Sequence, residues 1–481
     1  MASNGTKYHT VEDVPLWIDN EAVHSANKFE VKNSSTQEVQ WTASGADVDL
    51  AKRAVGSASR AFVPWSRTHP TQRRRIFLKA AELFRSRRAE LVDVMVRETN
   101  CTRQWADEVN MTIGINFLDE LASLATWCST GSLPTTESAD RLAMVFKQPY
   151  GVILGIAPWN SAFILAIRAV ATPILCGNTA ILKASELSPK THHLIAQIFR
   201  DAGLPPGVLN VVQHSREDAA EVINTMIGHP AVRKINFTGS TAVGRIIARE
   251  AGQHLKPVLL ELGGKSSCVV LDDADLTKAA RAVASGAFIN HGQVCMGTER
   301  VMVQRSVAQD FRAALRKEAQ KVSQGNAVTV TGAQRSQSLV AKALEQGAQL
   351  EYGQSSLKGA AQEPTVISGV TEDMEIFYAE SFGPTVTLTE VDTAEEAVAL
   401  ANDTDYGLSA SIFSKDISRA IRYAKQIETG ACHINAGTVH DEPTLPHGGN
   451  NSSGYGRFGA QWGMDEFLQI KTITVLDDAA D

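Results

Sequence analysis

Five short apolar runs between residues 151 and 262 constrain the fold of this chain more than any other feature of its sequence. The runs are "GVILGIAPW", "TAILKAS", "VLNVVQ", "KINFTGS" and "PVLLELGG", and their starts lie between 23 and 29 residues apart. A β-strand, a crossover helix and two turns fill such a spacing. The pattern therefore predicts an α/β fold in which helices cover a parallel sheet.

Turn and cap residues between the runs agree with this prediction. In "ELSPKTHHLIAQIFRDAGLPPG", Ser188 is placed to cap a helix, Pro189 to begin it and Gly203 to end it. Upstream, "TQRRRIFLKAAELFRSRRAELVDVM" carries apolar residues at helical spacing. We expect an amphipathic helix there, with its arginines on the solvated face.

Length and charge limit the number of domains and the kinds of partner. At 481 residues the chain exceeds the size at which single cores stop growing, so two or three domains are expected. The net charge is −7, with both signs spread along the sequence. This balance favours neither a nucleic acid nor an anionic membrane as partner.

Cysteine spacing and the chain ends suggest a cytoplasmic protein without a metal site. The six cysteines form no CxxC pair and no Cys/His ligand pattern, so neither zinc nor a disulfide scaffold is predicted. The segment "MASNGTKYHTVEDV" lacks the basic and apolar regions of a secretory signal. No apolar run reaches the roughly 18 residues of a membrane helix. We expect reduced thiols and a cytoplasmic location.

The stretch "NFTGSTAVGRIIARE" contains a candidate phosphate site. A strand is predicted to end at Thr238 and a helix to begin near Thr241, with Gly239 and Ser240 in the turn. The N–H groups and partial positive charge of a helix amino terminus suit a pyrophosphate. The glycines are spaced GxxxxG, unlike an ordinary dinucleotide motif. An ordinary strand-to-helix turn is the alternative.

Two further polar residues follow apolar strands. Glu261 interrupts "VLLELGG", where burial would raise the pKa of its carboxyl group toward the range of a general base. A solvent-facing glutamate at a strand end is the alternative. Asn160 follows "GIAPW" at a turn, where its amide can donate to an oxyanion or cap a helix.

Cys295, in "HGQVCMGTER", is either a nucleophile or an inert buried cysteine. It lies near the predicted carboxyl end of the helix "DLTKAARAVASGAFIN". A helix dipole does not lower a thiol pKa at that end. Activation therefore requires a nearby base or a bound cationic ring.

Taken together, these stretches resemble the NAD(P)-dependent aldehyde dehydrogenase superfamily. The segments "PWN", "LKASE", "FTGSTAVG", "LELGGK", "GQVC", "ESFGP", "NDTDYGL" and "SGYGRFG" occur in that family's order. Glu261 and Cys295 lie 34 residues apart, as the base and nucleophile of the family do. The resemblance covers about residues 15 to 475.

The resemblance implies a role for each catalytic candidate. Cys295 resembles the nucleophile that attacks the aldehyde carbon to give a thiohemiacetal and, after hydride transfer, a thioester. Asn160 and the Cys295 backbone N–H resemble the oxyanion donors. Glu261 resembles the base that activates water to release the acid.

The resemblance also implies the cofactor contacts. Lys183 and Glu186 resemble the residues that bind the adenosine ribose, and Ser240 resembles the phosphate contact. Glu186 would repel a 2′-phosphate, so NAD is favoured over NADP. The implied cofactor-binding residues are Trp159, Lys183, Glu186, Gly239, Ser240, Gly244, Glu380 and Phe382.

The implied substrate is an aromatic or other hydrophobic aldehyde. The segment "PWNSAFILAIRAVATPILCGNTAILKASELSP" is most similar to the salicylaldehyde and vanillin dehydrogenase group. Arg168 and Trp105 are candidates for the pocket wall. A structural role is an equally good explanation for each, since Arg168 can form a salt bridge or pack in the core and Trp105 can anchor a helix. Two departures from the family, in "PWNSAF" and "GGNNSSGYGR", lie near the expected substrate entrance.

Domain boundaries follow from the same resemblance. It implies an NAD-binding Rossmann-type domain over 1–128 and 146–261, a catalytic domain over 262–451, and an oligomerisation extension over 129–145 and 465–481. "RLAMVFKQPYG" and "FLQIKTITVL" carry strand-like patterns, and an uncovered edge strand favours pairing with another chain. A homodimer or homotetramer is expected.

Four functions stay open at this stage. The first is an NAD-dependent aldehyde dehydrogenase that forms carboxylates. The second is an acylating dehydrogenase that transfers the thioester to coenzyme A, which Glu261 as a water activator disfavours. The third is a cysteine esterase or hydrolase, and the fourth is a non-catalytic ligand-binding protein on the same fold.

Overall fold

An eight-stranded sheet contains all five apolar runs. The computed structural model describes residues 12–322 and 325–476. The five strands predicted from the runs pair in parallel, which confirms the α/β prediction, and the outer strands are antiparallel. In spatial order the strands are Gly454–Tyr455, Val258–Glu261, Val232–Thr238, Val152–Ile156, Thr179–Lys183, Leu209–Val212, Leu16–Ile18 and Glu21–Val23.

Helices cover both faces of this sheet, and the central strands are therefore buried on both sides. The largest core cluster packs the helices Pro70–Ser86 and Ala162–Leu175 against one face. The α-helices of this half are Val48–Ser66, Pro70–Ser86, Arg88–Thr99, Thr112–Ser123, Ala162–Leu175, Pro189–Asp201, Ala219–Gly228 and Thr241–Gln253. A π-helical turn spans Trp105–Met111, and a 3₁₀ turn spans Ala125–Ser129.

A second, seven-stranded sheet carries the residues on either side of Cys295. Its strands, in spatial order, are Gln349–Tyr352, Thr365–Ser368, Thr385–Val391, Thr298–Gln304, Ser266–Val270, Ser409–Phe413 and Ala431–Ile434. The α-helices that follow are Leu276–Phe288, Arg305–Ala319, Val330–Glu345, Glu375–Tyr378, Ala394–Asn402, Ile417–Ala424 and Ala460–Asp465. Short 3₁₀ turns span Ile289–Gly292 and Asn451–Ser453.

Three small sheets complete the described chain. One pairs Asp13–Val14, Val39–Ser44 and Lys28–Lys32, and another pairs Gly325–Asn326, Ala361–Gln362 and Leu357–Lys358. The third joins Leu468–Leu476 to Arg141–Pro149 and Gly131–Ser132. This third sheet contains strands from both segments predicted to form an oligomerisation extension. Residues 477–481 of that extension lie outside the described residues, and so does the amino-terminal segment 1–11. The domain boundaries stay predictions.

The helix that begins at Pro189 starts where the sequence predicts, but a residue distant in sequence caps it. Ser188 occupies the N-cap of Pro189–Asp201, yet its side chain makes no capping bond. The buried carboxylate of Glu98 accepts from Lys190 N at 2.7 Å and from Thr191 N at 3.0 Å instead. Burial raises the pKa of Glu98 to about 7, and the hydrogen bonds oppose that rise.

The prediction that every arginine of the helix Pro70–Ser86 faces solvent is wrong at Arg73. Its side chain is buried, and its Nη2 lies 3.2 Å from Cys128 Sγ. The apolar stripe itself is buried as predicted at Phe77 and Phe84. Within the described ranges, no helix is both long and apolar enough to cross a membrane. Those ranges also contain no group of three or more His, Cys, Asp or Glu residues arranged to hold a metal ion.

Candidate active site

A cavity of about 230 Å³ lies between the two large sheets and reaches Cys295. Four residues singled out from the sequence line the cavity with Cys295, namely Glu261, Asn160, Arg168 and Trp105. Apolar side chains supply most of the remaining wall. The structure therefore brings together all three catalytic candidates and both pocket candidates.

A strained turn presents Cys295 to this cavity. The helix Leu276–Phe288 ends seven residues earlier, as the sequence predicted, and Asn290 and His291 then adopt left-handed conformations with φ of 48° and 58°. Such conformations are uncommon outside glycine and cluster at functional sites. Asn290 Nδ2 donates to Asn160 O at 3.1 Å, which fixes the turn against the first sheet.

The thiol of Cys295 contacts the carboxylate of Glu261. Glu261 ends the strand Val258–Glu261 and is fully buried, and its Oε1 lies 3.0 Å from Cys295 Sγ. Burial and the Glu261 carboxylate raise the pKa of the Cys295 thiol well above its ordinary value. The thiol is therefore protonated at rest and donates to Glu261, which is the nearby base that activation requires.

Sequence reasoning was wrong about the pKa of Glu261. Burial does favour the neutral form of this carboxyl group, as expected. His447, whose Nε2 lies 3.7 Å away, and the charge of Arg168 outweigh burial and lower the pKa below its ordinary value. Glu261 is consequently a carboxylate at neutral pH and can accept a proton.

Arg168 and His447 join Glu261 to a second buried carboxylate, Asp441. Arg168 projects from the middle of the helix Ala162–Leu175, with Nη1 3.9 Å from Glu261 Oε2 and Nη2 hydrogen-bonded to Asp441. His447 places Nε2 3.7 Å from Glu261 Oε1 and Nδ1 3.8 Å from Asp441 Oδ1. The salt bridge considered for Arg168 is thus present, and its side chain also lines the cavity.

Asn160 donates toward the cysteine turn and does not cap a helix. The N-cap of Ala162–Leu175 is Ser161, so the capping interpretation of Asn160 is wrong. Asn160 Nδ2 lies 3.1 Å from Gln293 O, and Trp105 Nε1 donates to Asn160 O at 2.9 Å. An amide nitrogen carries two N–H groups, so one of them is left for an oxygen in the cavity. Trp105 both anchors its π-helical turn and lines the cavity.

The candidate phosphate site has the predicted local structure. The helix Thr241–Gln253 begins directly after Ser240, whose hydroxyl accepts from Val243 N at 3.4 Å. A Cβ added to Gly244 would lie 2.5 Å from Leu262 Cδ2, so glycine permits the close approach of helix and strand. Gly239 N donates to Glu261 O at 3.1 Å, which connects this turn to the strand that carries the base.

Lys183 and Glu186 lie at the same edge of the sheet. Lys183 ends its strand, and its Nζ is 3.9 Å from Glu186 Oε2. Burial lowers the pKa of Lys183. Because the strands ending at Lys183, Thr238 and Glu261 are parallel, their carboxyl ends share one edge. Ligands of such sheets bind at that edge. The arrangement therefore fits a dinucleotide.

Glu380, Phe382 and Trp159 complete the predicted cofactor set. Glu380 accepts from Gly264 N at 3.0 Å, and burial, reinforced by the charge of Glu299, raises its pKa to about 7. Phe382 has a φ of 49°, which is strained for a bulky side chain. Its ring packs edge-on against Trp159 with 5.9 Å between centroids. These residues link the second sheet to the "PWN" turn.

Sequence reasoning missed His447, Asp441 and Arg216. Arg216 Nε lies 3.7 Å from Glu186 Oε1, at the end of the site predicted to bind adenosine. His447 precedes the glycines of "GGNNSSGYGR", a segment that the sequence identified only as a departure from the family. A histidine and an aspartate within one irregular loop carry no local signal of a contact with a distant strand.

Comparisons with known proteins agree on one family. A model described as "Aldehyde dehydrogenase family" matches residues 17–473. A vanillin dehydrogenase of Pseudomonas fluorescens is 42% identical over 96% of this chain and 98% of its own. The crystal structure of a salicylaldehyde dehydrogenase from Pseudomonas putida G7, complexed with salicylaldehyde, is 39% identical, with a TM-score of 0.95 over 98% of this chain and 99% of that one.

A betaine aldehyde dehydrogenase from Staphylococcus aureus, whose crystal structure is in complex with NAD+, is similar at 30% identity. Its TM-score is 0.92 over 97% of this chain and 95% of that chain. The likeness therefore extends over both large sheets and is not limited to the cofactor-binding half.

Proposed function

This chain belongs to the aldehyde dehydrogenase family and oxidises aldehydes, and from that premise we propose that it converts aromatic aldehydes to carboxylic acids with NAD+. The observation that carries this proposal is the contact between Cys295 and Glu261 inside an apolar cavity. A thiol 3.0 Å from an ionised carboxylate is a nucleophile with its base in place.

In the proposed mechanism, Glu261 takes the proton of the Cys295 thiol, and the thiolate attacks the aldehyde carbon. The free N–H of the Asn160 amide and the Cys295 backbone N–H hold the resulting oxyanion. NAD+, when bound, supplies the acceptor for the hydride, so that a thioester remains on Cys295. Once Glu261 has lost the thiol proton, it removes a proton from water, and hydroxide attacks the thioester carbon. The C–S bond then breaks, which releases the acid and the thiolate of Cys295.

The cavity supports an aromatic substrate. Its volume of about 230 Å³ exceeds the roughly 150 Å³ that accommodates a benzene ring in an apolar cavity. The apolar wall is formed by Trp105, Val109, Ile113, Ile164, Leu165, Ile289, Val294, Met296 and Val439. Relatives named for vanillin and salicylaldehyde, both with a single ring, support the same substrate class.

NAD+ is the proposed cofactor rather than NADP+. The Glu186 carboxylate beside Lys183 favours ribose hydroxyls and repels a 2′-phosphate. Arg216 lies on the other side of Glu186 but is mostly exposed, so solvent screens its attraction for a phosphate. A lower KM for NAD+ than for NADP+ is expected.

We also propose a homodimer or homotetramer built through the sheet that contains Leu468–Leu476. This strand is an edge of its sheet, and Ile470, Ile473 and Val475 expose apolar side chains along it. Such an edge pairs readily with a second chain. A reducing, cytoplasmic setting fits the free thiol that the mechanism needs, since all six cysteines are unpaired.

Formation of NADH from NAD+ and benzaldehyde, without coenzyme A, tests the proposal. A panel that includes acetaldehyde tests the substrate class, because a much higher kcat/KM for acetaldehyde would contradict an aromatic preference. Cys295→Ala should abolish turnover and retain NAD+ binding. Glu261→Gln should slow both the formation of NADH and deacylation, because Glu261 is the base for the thiol and for water. Aldehyde oxidation by Cys295→Ala would overturn the mechanism.

A further inference from the structure

The proposed reaction creates a proton problem at Glu261. Each turnover removes one proton from the Cys295 thiol and another from the attacking water, and both reach the same carboxylate. Glu261 is fully buried, so bulk water does not reset it directly. The carboxylate has to lose the first proton before it can accept the second.

His447 is placed to receive that proton. Its Nε2 is 3.7 Å from the same Glu261 oxygen, Oε1, that accepts from the Cys295 thiol. Nε2 is buried and has no hydrogen-bond partner among the described residues, and the same holds for Glu261 Oε2. Unpartnered buried polar atoms are rare and call for an explanation. Here the unpartnered nitrogen faces the base, so a movement of about 1 Å or one bridging water completes the contact.

Asp441 lies on the far side of the imidazole and suits it to carry positive charge. Its Oδ1 is 3.8 Å from His447 Nδ1, and its other carboxylate oxygen is hydrogen-bonded to Arg168. The charge of Arg168 is the largest of the effects that lower the pKa of Asp441 against burial. A permanent carboxylate behind the ring orients it and stabilises the imidazolium form.

We propose that His447 is a positioning residue that takes the proton from Glu261 after thiol activation and restores the carboxylate for the attack of water. The proton moves from Cys295 Sγ to Glu261 Oε1, then to His447 Nε2, and leaves to water at the mouth of the cavity. Asp441 balances the transient imidazolium charge. This inference rests on the proposed function of Cys295 and Glu261.

Several charged groups surround His447 and set the direction of the pH effect. Glu261 and Asp441 lie on two sides of its ring, and Arg168 is paired with both carboxylates. His447, 3.7 Å from Glu261, lowers the pKa of that carboxyl group, so the pKa should rise when His447 is lost. The other titratable groups nearby are Cys295, His433, His440 and Glu442.

The test compares His447→Gln with His433→Gln as a matched control. His433 belongs to the same histidine group, with its ring 4.9 Å from that of His440, but does not line the cavity. In His447→Gln, the NADH burst should keep its amplitude near neutral pH, and the steady-state rate should fall about tenfold. The acid limb of the pH profile of kcat should move to higher pH, and the decrease in steady-state rate should become smaller at alkaline pH. His433→Gln should retain the wild-type profile.

A second variant keeps the proposal testable if glutamine disturbs the loop. In His447→Gly, added imidazole should restore the steady-state rate without changing the KM for the aldehyde. A His447→Gln profile that superimposes on the wild type would overturn the proposal. An equal decrease in steady-state rate at every pH, without rescue by imidazole, would also overturn the proposal, because that result indicates a packing role for His447. If wild-type protein forms no NADH from any aldehyde, the proposed function itself fails, which is a different outcome.

Discussion

Replacement of Arg168 by methionine tests whether the buried charge cluster depends on this one cation. Arg168 lies between two carboxylates, Glu261 and Asp441, and its side chain is 4% exposed. Methionine keeps much of the apolar stem of the side chain but removes the charge. Both carboxylates would then lose a permanently charged neighbour in a buried site.

The magnitude follows from distance and burial. At 3.9 Å from Glu261, one unit charge is worth about 4 kcal/mol at an effective dielectric constant of 20. Removal of one partner from a buried ion pair costs about 3–5 kcal/mol, because the remaining charge is left without compensation. We therefore expect Arg168→Met to lower the free energy of unfolding by about 3–5 kcal/mol.

A double variant separates charge from packing. Arg168→Met combined with Asp441→Asn removes one of the two uncompensated carboxylates, so it should recover about half of the lost stability. Urea-induced unfolding at fixed protein concentration measures all four members of this cycle. If Arg168→Met costs less than about 1 kcal/mol, or if Asp441→Asn adds a further loss, the cluster is not held by charge.

Three further outcomes follow from the structure. Because the pKa of Glu98 is raised to about 7 in the folded state, wild-type protein should lose about 3 kcal/mol of stability as pH rises from about 4.5 through about 7. Glu98→Gln should remove this pH dependence, which thermal unfolding across the same pH range measures. Gly244→Ala should weaken NAD+ binding at least tenfold in calorimetry because its Cβ meets Leu262, whereas Gly252→Ala, with open space around it in the same helix, should not. Ile470→Asp should shift the protein toward monomers in sedimentation velocity, since this exposed side chain lies on the proposed interface strand.

Local features of the fold could be predicted from the sequence because they depend on neighbouring residues. Strand spacing, the start of the helix after Ser240 and the glycines of the phosphate turn follow from periodicity and backbone conformation. The buried Arg73 and the cap supplied by Glu98 did not follow, because each depends on a partner that is distant in sequence. A periodic pattern identifies the buried face of a helix but not the polar side chain that this face accommodates.

The same distinction applies to the candidate site. Motif order pointed to Cys295, Glu261 and Asn160, and the structure places all three at one cavity. Burial alone predicted a raised pKa for Glu261, which was wrong because His447 and Arg168 reverse its sign. A pKa is set by every charge within a few ångströms, and those charges come from separate loops and helices. The order of residues in the sequence does not show which charges surround a buried carboxyl group.

The electrostatics of the cavity also explain how a nucleophilic cysteine can remain unreactive between turnovers. Burial, Glu261 and Glu380 all raise the pKa of Cys295, so the resting thiol is neutral and resists oxidation. Attack requires the thiolate, whose formation moves one proton to Glu261 and leaves the total charge of the pair unchanged. Bound NAD+ would supply a positive charge to this site, and such a charge would favour the thiolate form of Cys295. Reactivity of Cys295 toward an alkylating reagent should therefore increase when NAD+ is added. If NAD+ left the alkylation rate unchanged at saturating concentration, activation of the thiol would have to come from Glu261 or from the substrate.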